Sequence, residues 1–172
     1  GDEGGFAPSL KNNRQALEWL LSAIEGAGYI PGTHCYIAID VAATELQKID
    51  PAKTDEFYYD LTSIDTIMTS DQLISVYDDW TQKYPLISIE DGMSETDWTG
   101  WENMTSKLGH KVQIVGDDLY ATNTSIIKNG IASKASNAVL IKPNQIGTLT
   151  ETLDAIAMTR DAGWSAIISH RS

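Results

Sequence analysis

Five short aliphatic runs, each followed by a charged residue, dominate the pattern of hydrophobic and polar positions in this chain. The runs span residues 36–39, 86–89, 112–116, 139–141 and 166–169, and the charged residues that follow them are Asp40, Glu90, Asp117, Lys142 and His170. Runs of this length, rich in Ile and Val, are typical of strands buried on both faces of a parallel sheet. We therefore predict five parallel strands, each with a charged side chain at its carboxyl end.

Amphipathic helical patterns fill the intervals between these strands. Asn12 or Asn13 can cap the first helix, Asn123 can cap a later one, and capping-box spacing begins at Thr69 and at Thr148. Residues 57–59 resemble the return strand of a hairpin inserted after the first strand. Helical spacing predicts these core positions: Leu17, Leu20, Leu21 and Ile24; Leu73, Val76, Tyr77 and Trp80; Trp98, Trp101 and Met104; Leu149, Leu153, Ile156 and Ala157.

The spacing of the charged strand ends matches a repeated strand–helix unit. Asp40 and Glu90 lie 50 residues apart, and the next intervals, to Asp117, Lys142 and His170, are 27, 25 and 28 residues. A (β/α)8 barrel has roughly 30 residues per unit, so the first interval holds one unit plus the insertion. We predict an α/β fold, a partial TIM-type barrel with five to six of the eight strands, one of them implied just before residue 3. Residues 1–172 then form one incomplete barrel domain, a segment of a larger protein.

Composition narrows the classes of partner. The 172 residues carry a formal net charge of −12, which argues against nucleic acid and anionic membranes because both require basic patches. No apolar run is long enough to predict a membrane-spanning helix. The one cysteine, Cys35, fits a structural role and a reducing compartment. These features predict an acidic, soluble protein that binds a small molecule.

The three acidic strand ends predict a metal site. Any one of Asp40, Glu90 and Asp117 could be an ordinary helix N-cap, but capping alone does not explain acids and then bases at five consecutive strand ends. Carboxylates that converge at one edge of a sheet suit a hard divalent cation, Mg²⁺ above all. No Cys/His cluster indicates zinc.

The basic strand ends predict an anionic substrate. Lys142 could act as a general base if a nearby cation lowered its pKa; alternatively, it forms a salt bridge with one of the acids. Arg171 offers a planar fork for a phosphate or carboxylate, and Ser172 can add a hydroxyl contact. Together these residues indicate a substrate with an acidic C–H next to a carboxylate, held by the metal and deprotonated by the lysine, with the metal stabilising the resulting enediolate.

Six motifs, in order along the whole chain, resemble those of the enolase family. They are Gly1-Asp2-Glu3-Gly4-Gly5-Phe6-Ala7-Pro8, Ile39-Asp40-Val41-Ala42, Ser88-Ile89-Glu90-Asp91, Gly116-Asp117-Asp118-Leu119 with Thr122-Asn123, Lys142-Pro143-Asn144-Gln145-Ile146-Gly147-Thr148-Leu149, and Ser169-His170-Arg171-Ser172. The motif Gly116-Asp117-Asp118-Leu119 resembles that of bacterial enolases more closely than that of animal enolases. The resemblance implies the C-terminal barrel domain of an enolase and reversible dehydration of 2-phosphoglycerate to phosphoenolpyruvate in glycolysis.

The resemblance also implies a role for each matching residue. Metal ligands would be Asp40, Glu90 and Asp117, and the cofactor would be Mg²⁺. Catalytic residues would be Lys142, which removes the C2 proton, and Glu3, which assists departure of the C3 hydroxyl. Substrate-binding residues would be Glu3, Glu90, Asp117, Lys142, His170, Arg171 and Ser172, the last two on the phosphate.

Several enolase parts have no counterpart in these 172 residues. The family has an N-terminal domain with a mobile loop, further catalytic residues upstream and a second active-site lysine downstream. We therefore expect the full-length protein to be a cytoplasmic, homodimeric enolase, and the chain as given to be inactive and poorly soluble. Two other functions stay open: a different metal-dependent acid lyase of the same superfamily, and a non-catalytic or moonlighting binding protein with a cell-surface or secreted pool.

Overall fold

A computed structural model describes residues 4–48, 56–61 and 67–169. The strands are β1 (Ile37–Asp40), β2 (Gln47–Lys48), β3 (Tyr58–Asp60), β4 (Ile67–Thr69), β5 (Leu86–Glu90), β6 (Gln113–Gly116), β7 (Ala138–Ile141) and β8 (Ser165–Ile168). The helices are α1 (Asn13–Gly26), α2 (Ala43–Leu46), α3 (Ser70–Lys83), α4 (Trp98–Leu108), α5 (Thr124–Ser133), α6 (Pro143–Ile146) and α7 (Leu149–Asp161).

The five predicted strands form one parallel sheet in the order β1-β5-β6-β7-β8. Each strand therefore pairs with the strand of the next βα unit along the chain. The prediction of an α/β fold, a partial barrel, is confirmed for the described residues. Most strand boundaries differ from the predicted runs by only one residue, as at β6, which begins at Gln113. The strand implied before residue 3 lies outside the described residues.

The two faces of the sheet have different environments. Side chains such as Ile89, Ile114 and Val139 pack with residues of α1, α3, α4, α5 and α7 into the main core. On the opposite face, Val115, Ala138 and Leu140 form a smaller cluster with Ile167. The prediction that every strand is buried on both faces was wrong for β1 and β8, because each pairs with only one neighbour among the described residues, and also for β5, where Ile87 is 48% exposed.

The predicted insertion after the first strand is confirmed. Strands β2, β3 and β4 form a separate antiparallel sheet, with β3 in the middle. The buried carboxylate of Asp97 joins this sheet to the start of α4: it accepts hydrogen bonds from Tyr59 Oη at 2.8 Å, Ser70 Oγ at 2.6 Å and the Gly100 N–H at 2.9 Å. The Ser94 N–H donates to Tyr59 Oη at 3.0 Å, so the network reaches the loop after β5.

Asp97→Ala is expected to destabilise the chain by about 2–4 kcal/mol. The substitution removes a helix N-cap and leaves the Tyr59 and Ser70 hydroxyls without their buried acceptor. Urea denaturation measures the change. The matched control is Asn12→Ala, which removes the exposed N-cap of α1 and is expected to cost about 1 kcal/mol. Equal losses in the two variants would contradict the structural role of the Asp97 network.

The helix caps agree with the sequence pattern more closely than the core positions do. Asn12 and Asn123 cap α1 and α5, and the capping box at Thr69 is complete. At Thr148 the box is incomplete: the hydroxyl accepts the Glu151 N–H, but the Glu151 carboxylate accepts from that hydroxyl and not from the backbone.

The predicted core stripe of α7 was wrong except at Ile156, which packs against the main core. Leu149 and Leu153 are 71% and 55% exposed, whereas Thr152, Ala155 and Thr159 are buried. The two threonine hydroxyls donate to carbonyls of their own helix, at 2.8 Å and 2.7 Å, so they can be buried without an unpaired polar atom. Leu20 of α1 is also exposed, at 48%, although it was predicted to face the core.

Apolar side chains are exposed beside both outer strands of the parallel sheet. Phe6, Leu10, Trp19 and Leu20 lie on the α1 side, and Leu149, Leu153 and Ile168 lie on the β8 side. Exposed apolar surface of this kind favours association, which agrees with the expected poor solubility of the chain. None of the helices in the described ranges is long and apolar enough to cross a membrane.

Candidate active site

Four of the predicted site residues lie at one edge of the parallel sheet. Asp40 and Glu90 are direct neighbours across β1 and β5, and Glu90 in turn faces Val115, two residues before Asp117. Strand alternation directs Asp40, Glu90 and Asp117 to the face opposite the helices, and Lys142 continues the same alternation two residues after Leu140. The carboxyl edge of the sheet therefore collects three carboxylates and one amine.

Lys142 forms an ion pair with Asp117. The Nζ of Lys142 contacts Asp117 Oδ2, and the two side chains are 14% and 8% exposed. The Gln145 side chain also donates to Asp117, to Oδ1, at 3.3 Å. The salt bridge considered from the sequence as an alternative to general-base catalysis is therefore present. It also places the amine within the carboxylate cluster.

Burial, with a further contribution from neighbouring carboxylates, raises the pKa values of Glu90 and Asp40. Burial, together with the nearby Asp40, Asp117 and Asp91 carboxylates, raises the pKa of Glu90 to about 7. Burial also raises the pKa of Asp40, with Asp117 and Asp118 adding to the effect. Lys142 opposes both shifts. The site therefore holds more negative charge than one lysine can balance.

A divalent cation fits this donor set. The donors are all carboxylate oxygens, which Mg²⁺ prefers, and the Asp40 and Asp117 carboxylates add to the effect of burial in raising the pKa of Glu90. Asp40, Glu90 and Asp117 are the residues that would hold such an ion, although among the described residues the acids whose oxygens lie within 4.8 Å of one another are a different group.

A second group of acids, Asp91, Asp117 and Asp118, lies at the same edge. One oxygen from each lies within 4.8 Å of the others, and it is the one acidic group in the described chain that meets this spacing. Asp91, however, uses both oxygens internally, since Oδ1 accepts the Asp117 N–H at 3.0 Å and Oδ2 accepts the Asp118 N–H at 2.9 Å. We interpret Asp91 as the acceptor that fixes the loop after β6, and not as a metal ligand.

Asp91 supports the site through two backbone hydrogen bonds to which the sequence pattern gave no role, and its backbone is strained. Asp91 has φ +43°, and Ala42, Ala121 and Thr122 also have positive φ in the loops after β1 and β6. Non-glycine residues rarely adopt positive φ values. Residues with this conformation occur most often at functional sites, where the surrounding structure holds the backbone in place. Thr122 and Gln145, which contact Lys142 and Asp117 respectively, were likewise quoted in motifs without a role.

The remaining predicted site residues lie outside the described residues. They are Glu3, His170, Arg171 and Ser172. Their roles stay predictions: Glu3 on the leaving hydroxyl, His170 in the pocket, and Arg171 and Ser172 on the phosphate.

The ion-free chain is expected to lose stability as pH rises from about 5 to about 7. Glu90 and Asp91 have pKa values raised to about 7 and about 6, so in this interval the folded chain binds more protons than the unfolded chain. The free energy of unfolding must then fall with rising pH. Saturating Mg²⁺ should flatten this slope because the metal competes with protons for the carboxylates. Thermal unfolding at several pH values, with and without Mg²⁺, measures this change in stability. A stability that rises between about pH 5 and about pH 7 without metal would contradict the pKa shifts.

Comparison with known families agrees with this geometry. The family model described as enolase, C-terminal TIM barrel domain, matches residues 1–172. Its TIM barrel architecture is consistent with the parallel sheet, with helices between successive strands, that the structure describes. The chain therefore belongs to the family of enolase C-terminal TIM barrel domains.

Proposed function

We propose that this chain is part of an enolase that catalyses the Mg²⁺-dependent, reversible dehydration of 2-phosphoglycerate to phosphoenolpyruvate. One observation carries the proposal: the Lys142 amine lies among the carboxylates of Asp40, Glu90 and Asp117 at the carboxyl edge of a parallel sheet. In TIM-type folds this edge carries the active site. The arrangement brings a candidate base and a candidate cation site together.

The chemistry follows from the residues present. A Mg²⁺ ion held by Asp40, Glu90 and Asp117 would supply electrostatic stabilisation of negative charge on the substrate carboxylate. Once Asp117 held the ion, Lys142 would lose its ion-pair partner and, as the free amine, would take the proton from C2. Glu3 would then assist loss of the C3 hydroxyl, while Arg171 and Ser172 would hold the phosphate. The proton taken by Lys142 and the hydroxide leaving from C3 together account for the water released.

We also propose the wider setting of the reaction. The 172 residues would be an incomplete barrel domain, and activity would require the N-terminal domain and the last barrel units of the full-length enzyme. That enzyme would be a cytoplasmic, glycolytic homodimer.

The proposed function is tested by purifying the full-length protein that carries these residues. With Mg²⁺ and 2-phosphoglycerate, we expect formation of phosphoenolpyruvate, loss of turnover with excess chelator and recovery when Mg²⁺ is added back. A panel of other carboxylic acids with an acidic α-hydrogen is the comparison. Preferred turnover of another acid would replace the substrate assignment with a different superfamily lyase, and no turnover of any acid would favour a non-catalytic role. The isolated 172-residue chain is expected to show little activity, and turnover near that of the full-length enzyme would contradict the domain assignment.

A further inference from the structure

Four residues form a closed ring of contacts around the candidate base. The Lys142 backbone N–H donates to Thr122 Oγ1 at 2.9 Å, and that hydroxyl donates to Gln145 Oε1 at 2.9 Å. Gln145 Nε2 donates to Asp117 Oδ1 at 3.3 Å, and Asp117 Oδ2 contacts Lys142 Nζ. The ring therefore begins at the backbone of the lysine and returns to its amine.

Each hydrogen bond in the ring pairs a donor with an acceptor. The Thr122 oxygen accepts from a backbone N–H, so its own hydrogen is free to donate, and it requires an acceptor on Gln145. The carboxylate of Asp117 can only accept, so it requires the NH₂ of the same amide. Gln145 is the residue that can satisfy both neighbours at once, whereas Glu or Leu at this position could not.

Thr122 occupies this position at a conformational cost. It is fully buried and has φ +56°, which is unfavourable for a β-branched residue. The preceding turn holds it there, because the Ala121 N–H donates to the Asp117 carbonyl at 2.9 Å and the Asn123 N–H to the Tyr120 carbonyl at 2.7 Å. A strained, buried polar residue that is fully hydrogen-bonded is typical of a constrained site.

We propose that Thr122 and Gln145 are positioning residues that hold Lys142 and Asp117 as one unit. The inference rests on the proposed function, in which Lys142 is the base and Asp117 a metal ligand. Thr122 belongs to the loop after β6 and Gln145 to α6 after β7, so their hydrogen bond joins the two loops that carry the two functional side chains. The hydroxyl fixes the backbone of the base, and the amide fixes the orientation of the carboxylate.

The test compares Thr122→Val, Thr122→Ser and Gln145→Leu in the full-length enzyme. Thr122→Val keeps the shape and removes the hydroxyl; we expect kcat to fall about 10- to 100-fold with KM for 2-phosphoglycerate changed less than about threefold. Thr122→Ser keeps the hydroxyl and should recover kcat to within about threefold of wild type. Gln145→Leu should also lower Mg²⁺ affinity, by about tenfold, because Asp117 loses the neutral amide that orients it and no competing positive charge is removed.

The matched control is Thr159→Val, which removes another fully buried threonine hydroxyl, one bonded only within α7. A kcat for Thr122→Val equal to that of Thr159→Val would overturn the proposal, as would a serine variant as impaired as the valine variant. Wild-type turnover tests the proposed function separately from these ratios. If wild type is inactive, amide hydrogen exchange at Lys142, followed by NMR, still decides: Thr122→Val should accelerate it at least about tenfold, and unchanged exchange would overturn the ring.

Discussion

Lys142→Met in the full-length enzyme should lower kcat by about 10²- to 10⁴-fold, the usual contribution of a general base. The same substitution should raise the affinity for Mg²⁺, although it lowers kcat. Lys142 is the cation paired with the nearly buried Asp117, so its removal leaves more negative charge for Mg²⁺ to balance. We therefore expect tighter Mg²⁺ binding in the variant. Steady-state kinetics and calorimetric Mg²⁺ titration measure the two effects.

The ion-free Lys142→Met variant should also be destabilised, by about 3 kcal/mol, because Asp117 is left buried without its partner. Added Mg²⁺ should recover more stability in the variant than in wild type. Lys111→Met is the matched control, since Lys111 pairs with Asp78 at 3.0 Å on a more exposed surface, and its removal should change stability by less than about 1 kcal/mol. Weaker Mg²⁺ binding or normal kcat in Lys142→Met would contradict the assigned role.

Glu90→Gln should have the second large effect, a loss of Mg²⁺ affinity of at least about 100-fold. Outer partners of metal ligands already contribute about 10- to 100-fold, and Glu90 is expected to contact the ion itself. Without metal at pH 8, the same variant should be more stable than wild type, because it removes a carboxylate whose pKa is raised to about 7 by burial and by neighbouring acids.

Thermal unfolding with and without Mg²⁺ tests both effects of Glu90→Gln. Wild type should gain stability with metal, whereas the variant should start higher and gain little. Glu102→Gln is the control, because Glu102 is an exposed acid on α4 with the same change in charge. A Glu90→Gln variant that keeps the full response to Mg²⁺ would remove Glu90 from the metal site.

The sequence was sufficient to predict the five parallel strands and the charged residues at the carboxyl ends of β1, β5, β6 and β7. Short runs rich in Ile and Val are a strong local signal, and their regular spacing predicts the order of β5, β6, β7 and β8 without knowledge of any long-range contact. Helix starts were also predictable, because capping by Asn12, Thr69 and Asn123 depends on residues within one turn.

Which side of a helix is buried was less predictable. On α7 the apolar side chains of Leu149 and Leu153 face outward, while two threonines face the core. The threonine hydroxyls can be buried because each donates a hydrogen bond to a carbonyl one turn earlier. Hydrophobic spacing does not record that effect. The face is determined by the neighbouring elements, and α7 contacts α5, α6, β7 and β8.

The positioning residues were the least predictable part of the site. Asp91 follows Glu90 directly and was quoted in a motif without a role, yet its oxygens accept two backbone N–H groups. Gln145 and Thr122 lie 23 residues apart and become partners only when two loops meet. Contacts of this kind depend on loop conformation, including positive φ at Asp91 and Thr122, which residue spacing does not determine.

The most direct test of the account is anomalous diffraction from crystals of the full-length protein soaked in Mn²⁺, which substitutes for Mg²⁺ at oxygen sites. The account predicts a peak coordinated by the carboxylates of Asp40, Glu90 and Asp117. A peak coordinated by Asp91 and Asp118 would contradict this metal site. Asp91 would then be a ligand and not the residue that fixes the loop after β6, to which Asp118 belongs.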